Sequence, residues 1–240
     1  MRKLTIAALL VLAAACTQKT GTATGTEAES TTATAAATET ASVPANEQAA
    51  PAAQPAAETA NKETNAMTDT EPKVAELHTS AGEIDIRFFP DVAPNHVKNF
   101  LTLAEQGFYN GTKFHRVIPG FMIQGGDPNT IKGDPYTWGT GGSPNRLKSE
   151  FNSISHKRGI VSMARSQDPN SASSQFFIVV SDSPFLDNQY TVFGQVLKGM
   201  DVADKIVNGK RDRNDRPDQP VSIDSITVRP ATAEENAKPR

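Results

Sequence analysis

One cysteine, Cys16, occurs in 240 residues, so no intrachain disulfide is available. The four histidines (His78, His96, His115 and His156) are scattered, and no His-Glu-x-x-His pattern accompanies them, so a metal site is not expected. A phosphate-cradling glycine loop is also missing, and no cofactor is implied. Every apolar run falls short of the roughly 18 residues needed to span a bilayer. Lys+Arg total 24 against 27 Asp+Glu, and with a pI near 5.8 the chain offers no basic excess for nucleic acid. Aromatic residues are absent from the first 87 positions: all 11 Phe, 3 Tyr and the single Trp lie between Phe88 and Phe193. A ring-free stretch whose apolar content is mostly Ala cannot bury a core. The chain therefore reads as a tail followed by one domain of about 160 residues.

Residues 1–15 read as an export signal: Arg2 and Lys3, a run from Leu4 to Ala15 that is apolar except for Thr5, then small residues. Leu-Ala-Ala-Ala-Cys at 12–16 resembles a bacterial lipobox, in which the cysteine is acylated and becomes the first residue of the mature chain. Leu12 stands four residues before Cys16 rather than the usual three. Lipidation is favoured because the sole cysteine sits where a lipoprotein requires it. Cleavage after Ala13-Ala14-Ala15, giving a soluble periplasmic or secreted protein, is the alternative. In a Gram-negative cell, Thr17 after the cysteine, where Asp would retain the protein at the inner membrane, favours the periplasmic face of the outer membrane.

Segment 17–72 contains 16 Ala and 14 Thr among its 56 residues, with Pro44, Pro51 and Pro55. Ordering such a segment costs about 1–2 kcal/mol per residue, with almost no apolar area to offset it. Residues 16–72 are expected to form a disordered leash behind the lipidated cysteine, with a mean span of ~40 Å.

Beyond residue 73 the pattern changes. Alternation predicts strands over 74–79 and 83–89, joined by a turn at Ser80-Ala81-Gly82. Pro94 opens a helix whose stripe is Val97, Phe100, Leu101 and Ala104, and Gly107 ends it. Short strands follow over 114–118, 122–124, 160–164, 175–180 and 191–196, then a helix over 200–208 and a last strand over 221–228. Many short strands and two helices suggest an antiparallel barrel capped by helices. The Arg/Asp-rich run 210–218 reads as a solvated loop, Asn110-Gly111-Thr112 as a tight turn, and 231–240 as a flexible tail. The long Gly- and Pro-rich stretch 125–144 suggests function rather than connection.

Three segments carry the candidate chemistry. Period two puts Arg116 on a face with Phe114 and Ile118, Met122 with Gln124, and Gln175 with Phe177. An Arg and two Gln interleaved with Phe and Met suit a shallow apolar pocket ringed by donors, which fits a compact neutral ligand flanked by amides. A lone strand Arg is often only a solvated edge charge. His115, on the face opposite Arg116, reads as a packed or hydrogen-bonded core histidine. No Ser/His/Asp or Cys/His set suggests itself, and none of these segments contains a carboxylate to act as general base.

Phe-His-Arg-Val-Ile-Pro-Gly-Phe-Met-Ile-Gln-Gly-Gly-Asp at 114–127 resembles the central motif of the cyclophilins. So do Gly-Thr-Gly-Gly at 139–142, Ser-Met-Ala-Arg at 162–165, Ser-Gln-Phe-Phe-Ile at 174–178 and Val-Phe-Gly-Gln-Val at 192–196, in order. The resemblance implies a domain over 73–230, a mainly β fold with a closed eight-stranded antiparallel barrel capped by two α-helices, and peptidyl-prolyl cis-trans isomerase activity. It implies Arg116 as the catalytic arginine and Phe121, Met122, Phe177 and Leu186 as the proline pocket. Gln124 and Gln175 would be polar partners, with Ala164, Phe185 and Tyr190 on the rim. The best-known eukaryotic members carry Trp in place of Phe185 and His in place of Tyr190, so tight cyclosporin binding is not expected. The segment 165–173 is one residue longer than in those members, and 127–138 has no one-to-one counterpart.

The implied partners are proline-containing, folding polypeptides and, through the anchor, a membrane; the domain is expected to be monomeric. Because the chemistry needs no proton transfer, activity is expected to be nearly flat from pH 6 to 9. The rival reading is a tethered proline-segment binding module or chaperone in which isomerisation is incidental.

Overall fold

The computed structural model describes residues 71–239. The export segment, Cys16 and all but the last two residues of the 16–72 leash lie outside the described residues. Eight strands form one antiparallel sheet: β1 Lys73–Thr79, β2 Gly82–Phe88, β3 Arg116–Ile118, β4 Met122–Gly125, β5 Ile160–Met163, β6 Phe176–Val179, β7 Val192–Lys198 and β8 Ile223–Pro230. The spatial order is β3-β4-β6-β5-β7-β2-β1-β8.

This order corrects the expected closed barrel. No ladder joins β3 to β8 among the described residues, so the sheet is curled and open along that seam. The chain before β3 stitches the seam instead, by a Lys113–Ser222 bridge and bonds from Gly111 N–H to the Ile223 carbonyl (2.7 Å) and Phe114 N–H to the Val221 carbonyl (3.0 Å). The same detour overturns the shared face of Phe114 and Arg116. Phe114 bonds across the seam while His115 N–H bonds to Gln124 of β4. The alternation breaks between them, and Phe114 turns into the core with Val117.

Elsewhere period two sorts the side chains onto two faces. Ile84, Ile86 and Phe88 of β2, Val161 and Met163 of β5, and Phe176 and Ile178 of β6 fill the inside of the curl. Their alternates Phe89, Ile160, Phe177 and Val179 join Met122, Leu186 and Val192 in a second, smaller cluster on the outer face. That outer cluster is the floor of the site described below. Phe100 links the inner rings, lying 4.9 Å from Tyr109, 5.4 Å from Phe176 and 5.5 Å from Phe193 between centroids.

Among the described residues there are four α-helices rather than two: α1 Pro94–Glu105, α2 Asn129–Lys132, α3 Met200–Val207 and α4 Ala233–Ala237. None is long and apolar enough to cross a membrane. Pro94 starts α1 where a missing N–H costs nothing, and Gly107 follows it at φ +69. The buried face of α1 is His96, Val97, Phe100, Leu103 and Ala104, so Leu103 takes the place expected for Leu101. Val202, Ala203, Ile206 and Val207 are the buried side of α3. Gly82, at φ +140, closes the β1–β2 turn, and a Cβ there would stand 2.7 Å from Val202.

The tail expected over 231–240 instead carries α4. Thr232 and Glu235 form a reciprocal capping box, and Arg229 bridges Glu235 (2.9 Å) and Glu76 (2.5 Å). Arg87, buried on the outer face, donates to the carbonyls of Glu235, Asn236 and Pro239. A cation against the C-terminal carbonyls of a helix is a favourable pairing, and it ties the segment to β2.

Candidate active site

Strand register assembles the polar row. Arg116 of β3 is opposite Gln124 of β4, and Gln124 is opposite Phe177 of β6. The Arg116 guanidinium donates to the Gln124 side chain at 3.4 Å, Gln124 donates to Gln175 at 2.9 Å, and Gln175 donates to the carbonyls of Gly139 (3.0 Å) and Gly141 (2.7 Å). Each amide is thereby oriented by the next. The Arg116 side chain is exposed, and this is its one side-chain hydrogen bond among the described residues.

Beside this row lies a cavity of about 440 Å³. Met122, Phe177 and Leu186 are buried in its floor, while Phe185 stands 63 % exposed at its edge, 5.3 Å from the Phe121 ring. Nine of the ten residues singled out from the sequence (Arg116, Phe121, Met122, Gln124, Ala164, Phe177, Phe185, Leu186 and Tyr190) line it. Gln175 stands one place back, lining an adjoining cavity. Arg165 and Gln189 also line the first cavity and were not anticipated. Arg165 is fixed by donating to the Gln189 carbonyl (3.0 and 3.1 Å) and by lying 4.7 Å over the Tyr190 ring.

The stretch 125–144 is an organised loop. The Asp127 carboxylate accepts from the backbone N–H of Asn129, Gly139 and Gly141, which sets the far wall of the adjoining cavity. Gly126, at φ +83, brings the backbone close to β6, where a Cβ would lie 2.5 Å from the Ser174 carbonyl.

Sequence reading missed one constellation, a Ser/His/Asp row behind the pocket wall. His156 Nδ1 lies 2.9 Å from Asp187 Oδ1 and Nε2 lies 2.9 Å from the Ser162 hydroxyl. A carboxylate only accepts, so Nδ1 carries the proton and Ser162 donates to Nε2. Burial holds the imidazole below its ordinary pKa against the pull of Asp187. Burial alone would raise the Asp187 carboxyl; bonds from the His156 backbone and ring and from Ser155 outweigh it and hold the group low. Ser162 is fully buried, so this row cannot meet a substrate as a hydrolytic set does. Its three members are dispersed in sequence, and only the fold brings them together. The expected packing of His115 holds, but among the described residues neither ring nitrogen has a hydrogen-bond partner.

The cyclophilin resemblance implied a pocket with polar partners beside it; the structure has a polar row beside a cavity with an apolar floor, carried on a curled, open sheet and not on a closed barrel. The family model of the cyclophilin type peptidyl-prolyl cis-trans isomerases matches residues 74–228. The chain belongs to this family. It is 46% identical over 172 residues to a probable peptidyl-prolyl cis-trans isomerase of Brucella abortus, covering 69% of this chain and 87% of that one. The crystal structure of a Cryptosporidium parvum cyclophilin type peptidyl-prolyl cis-trans isomerase matches with a TM-score of 0.61 at 31% identity, over 67% of this chain and 99% of the other. A second structure of that protein, in the presence of the dipeptide Ala-Pro, matches at 0.60 and 32% identity, over 66% and 99%. The chain is therefore a cyclophilin-family isomerase, and its substrates are proline-containing peptides. Among the described residues no group of three or more His, Cys, Asp or Glu could hold a metal.

Proposed function

We propose that this isomerase works by donating a hydrogen bond from Arg116 to the proline nitrogen, while the cavity floored by Met122, Phe177 and Leu186 holds the ring. The rotation barrier of an X–Pro bond comes from amide resonance and is ~18–20 kcal/mol. Twisting the bond breaks resonance and leaves a pyramidal nitrogen whose lone pair is available only near the transition state. A donor aimed there binds the transition state better than either planar isomer, which is the condition for catalysis. Fixing the ring lets the preceding carbonyl swing, and the Gln124–Gln175 row anchors the flanking peptide. Shortening tens of seconds to milliseconds requires about 6 kcal/mol. One charge-assisted bond contributes about 1.5–3 kcal/mol, so fixation of the ring must supply a comparable share.

The observation that carries this reading is an exposed guanidinium, oriented by one amide, at the mouth of an apolar cavity. Arg116→Lys tests it, because the charge is kept while the planar fork is lost. Turnover should fall at least tenfold, or about 1.4 kcal/mol, with peptide affinity nearly unchanged; full turnover would remove the guanidinium from the mechanism. We further propose that exported polypeptides folding near a membrane are the substrates and that Cys16 carries the lipid. Palmitate labelling of wild type against Cys16→Ser tests the anchor, and equal labelling of both would contradict it.

A further inference from the structure

The first cavity continues past Gln124, Ala164 and Arg165 into the adjoining one, of about 300 Å³, walled by segment 139–142, the 166–173 loop and Gln175. Among the described residues, the charged side chains across the linings of both are Arg116, Arg146 and Arg165, and no Asp, Glu or Lys faces either. The carboxylates packed around these walls are already engaged. Asp127 accepts from the Gly139 and Gly141 N–H groups, Asp168 from Asn170 N–H, Glu150 from Asn95 and His96, and Asp187 from Ser155 and His156. Among the described residues Arg165 donates only to the backbone carbonyls of Ser166, Gln167 and Gln189, and its charge rests over the Tyr190 ring and, at 5.9 Å, the Phe151 ring. Arg146 is exposed and makes no ion pair among the described residues. Three cations thus share one continuous groove without a facing carboxylate.

We infer that the adjoining cavity selects proline segments bearing an acidic side chain two residues from the proline, with Arg146 and Arg165 as the residues that determine this preference. An extended peptide returns every second side chain to the same face. With the proline in the first cavity, the residue two positions away reaches the second. There its carboxylate meets two guanidinium groups. A Lys at that position meets the same two cations and is repelled. The inference rests on the first cavity being the proline pocket.

The test is isomerisation by the full chain of peptides with Ala, Glu or Lys two residues before the proline, and a second set with the same residues two positions after it. Binding of every peptide is followed in parallel by fluorescence anisotropy. At low salt, Glu should exceed Lys by about tenfold in kcat/KM and in affinity in one of the two sets, and the ratio should shrink as salt screens the charges. Arg146→Glu should bring that ratio to unity or invert it, read within the variant so that any change in overall turnover cancels. Turnover of the Ala peptides with Glu and Lys within twofold in both sets overturns the selectivity while leaving the isomerase intact. Loss of turnover on every peptide overturns the proline-pocket reading, and the affinity ratio then still decides whether the groove prefers acids.

Discussion

The imidazole of His156 lies nearly parallel to the ring of Phe177, with centroids 6.2 Å apart and planes 15° apart, directly behind the floor of the cavity. The Tyr190 ring meets both edge-on, at 6.4 Å from His156 and 5.7 Å from Phe177. Since Asp187 and Ser162 hold the imidazole from its two nitrogens, the pocket wall inherits its rigidity from a buried hydrogen-bonded row rather than from packing alone.

Replacing His156 with Ala should therefore weaken both fold and site. The buried Ser162 hydroxyl loses its acceptor, which with the lost ring packing costs about 2–4 kcal/mol. Urea unfolding measures this. Turnover should fall more than in Ser162→Ala, which leaves the ring and its Asp187 bond in place. Equal effects of the two substitutions would mean that the stacking contributes nothing.

Acid should destabilise the fold at a pH well above the carboxylate range. Burial holds His96, His115 and His156 below the ordinary imidazole value, in each case against an opposing pull from Glu150, Asp127 or Asp187. In the unfolded chain these rings take up protons near pH 6.5, so below that point the unfolded state binds more protons than the folded one. This stability is fully present above about pH 6.5 and is lost as pH falls toward the lower folded-state values. Asp85, whose carboxyl burial raises, runs in the opposite sense from the carboxylate range upward. Urea midpoints should fall between pH 7.5 and 5.5, and His115→Leu should flatten the fall. Midpoints that do not move across this range would contradict the assignment of three neutral buried imidazoles.

Deleting residues 231–240 should cost about 2 kcal/mol, because the buried Arg87 guanidinium loses three carbonyl acceptors. Glu235 adds an acid-sensitive component: hydrogen bonds from Arg229 and from Thr232 hold its carboxyl at about 2. The stability it contributes is complete above the ordinary carboxylate value and disappears as pH falls toward 2. Glu235→Gln should make the fold less stable at pH 7 and less dependent on pH between 4.5 and 2.5. Thermal midpoints of the three proteins decide the matter; a deletion that unfolds like wild type would show that α4 does not hold the sheet.

Part of the fold was legible because β2 alternates apolar Ile84, Ile86 and Phe88 with polar neighbours, which marks its inner face; β5 and β6 are buried on both faces, so only the fold separates their two sides. Seven of the ten candidate site residues lie in contiguous motifs, while Phe185, Leu186 and Tyr190 do not, and nine of the ten line a single cavity. What stayed hidden depends on long-range contacts. Phe114 was assigned to the wrong face because its N–H goes to Val221, more than a hundred residues away, and that breaks the period. Arg165 closes the Ser-Met-Ala-Arg motif, but its place at the junction of two cavities depends on the Tyr190 ring and the Gln189 carbonyl, which hold it from more than twenty residues away. The segment 231–240 lacks apolar residues larger than Ala, and what orders it is the capping box together with two arginines on β2 and β8.

In the proposed mechanism Arg116 acts on the transition state and not on the bound peptide. The most direct measurement is kcat/KM for a proline peptide in a protease-coupled isomerisation assay, wild type against Arg116→Ala, with peptide affinity determined independently for both. Loss of one charge-assisted donor predicts a fall of about 10- to 150-fold in kcat/KM, with affinity changed less than about threefold. Turnover retained within twofold, or a loss of affinity as large as the loss of turnover, would contradict it.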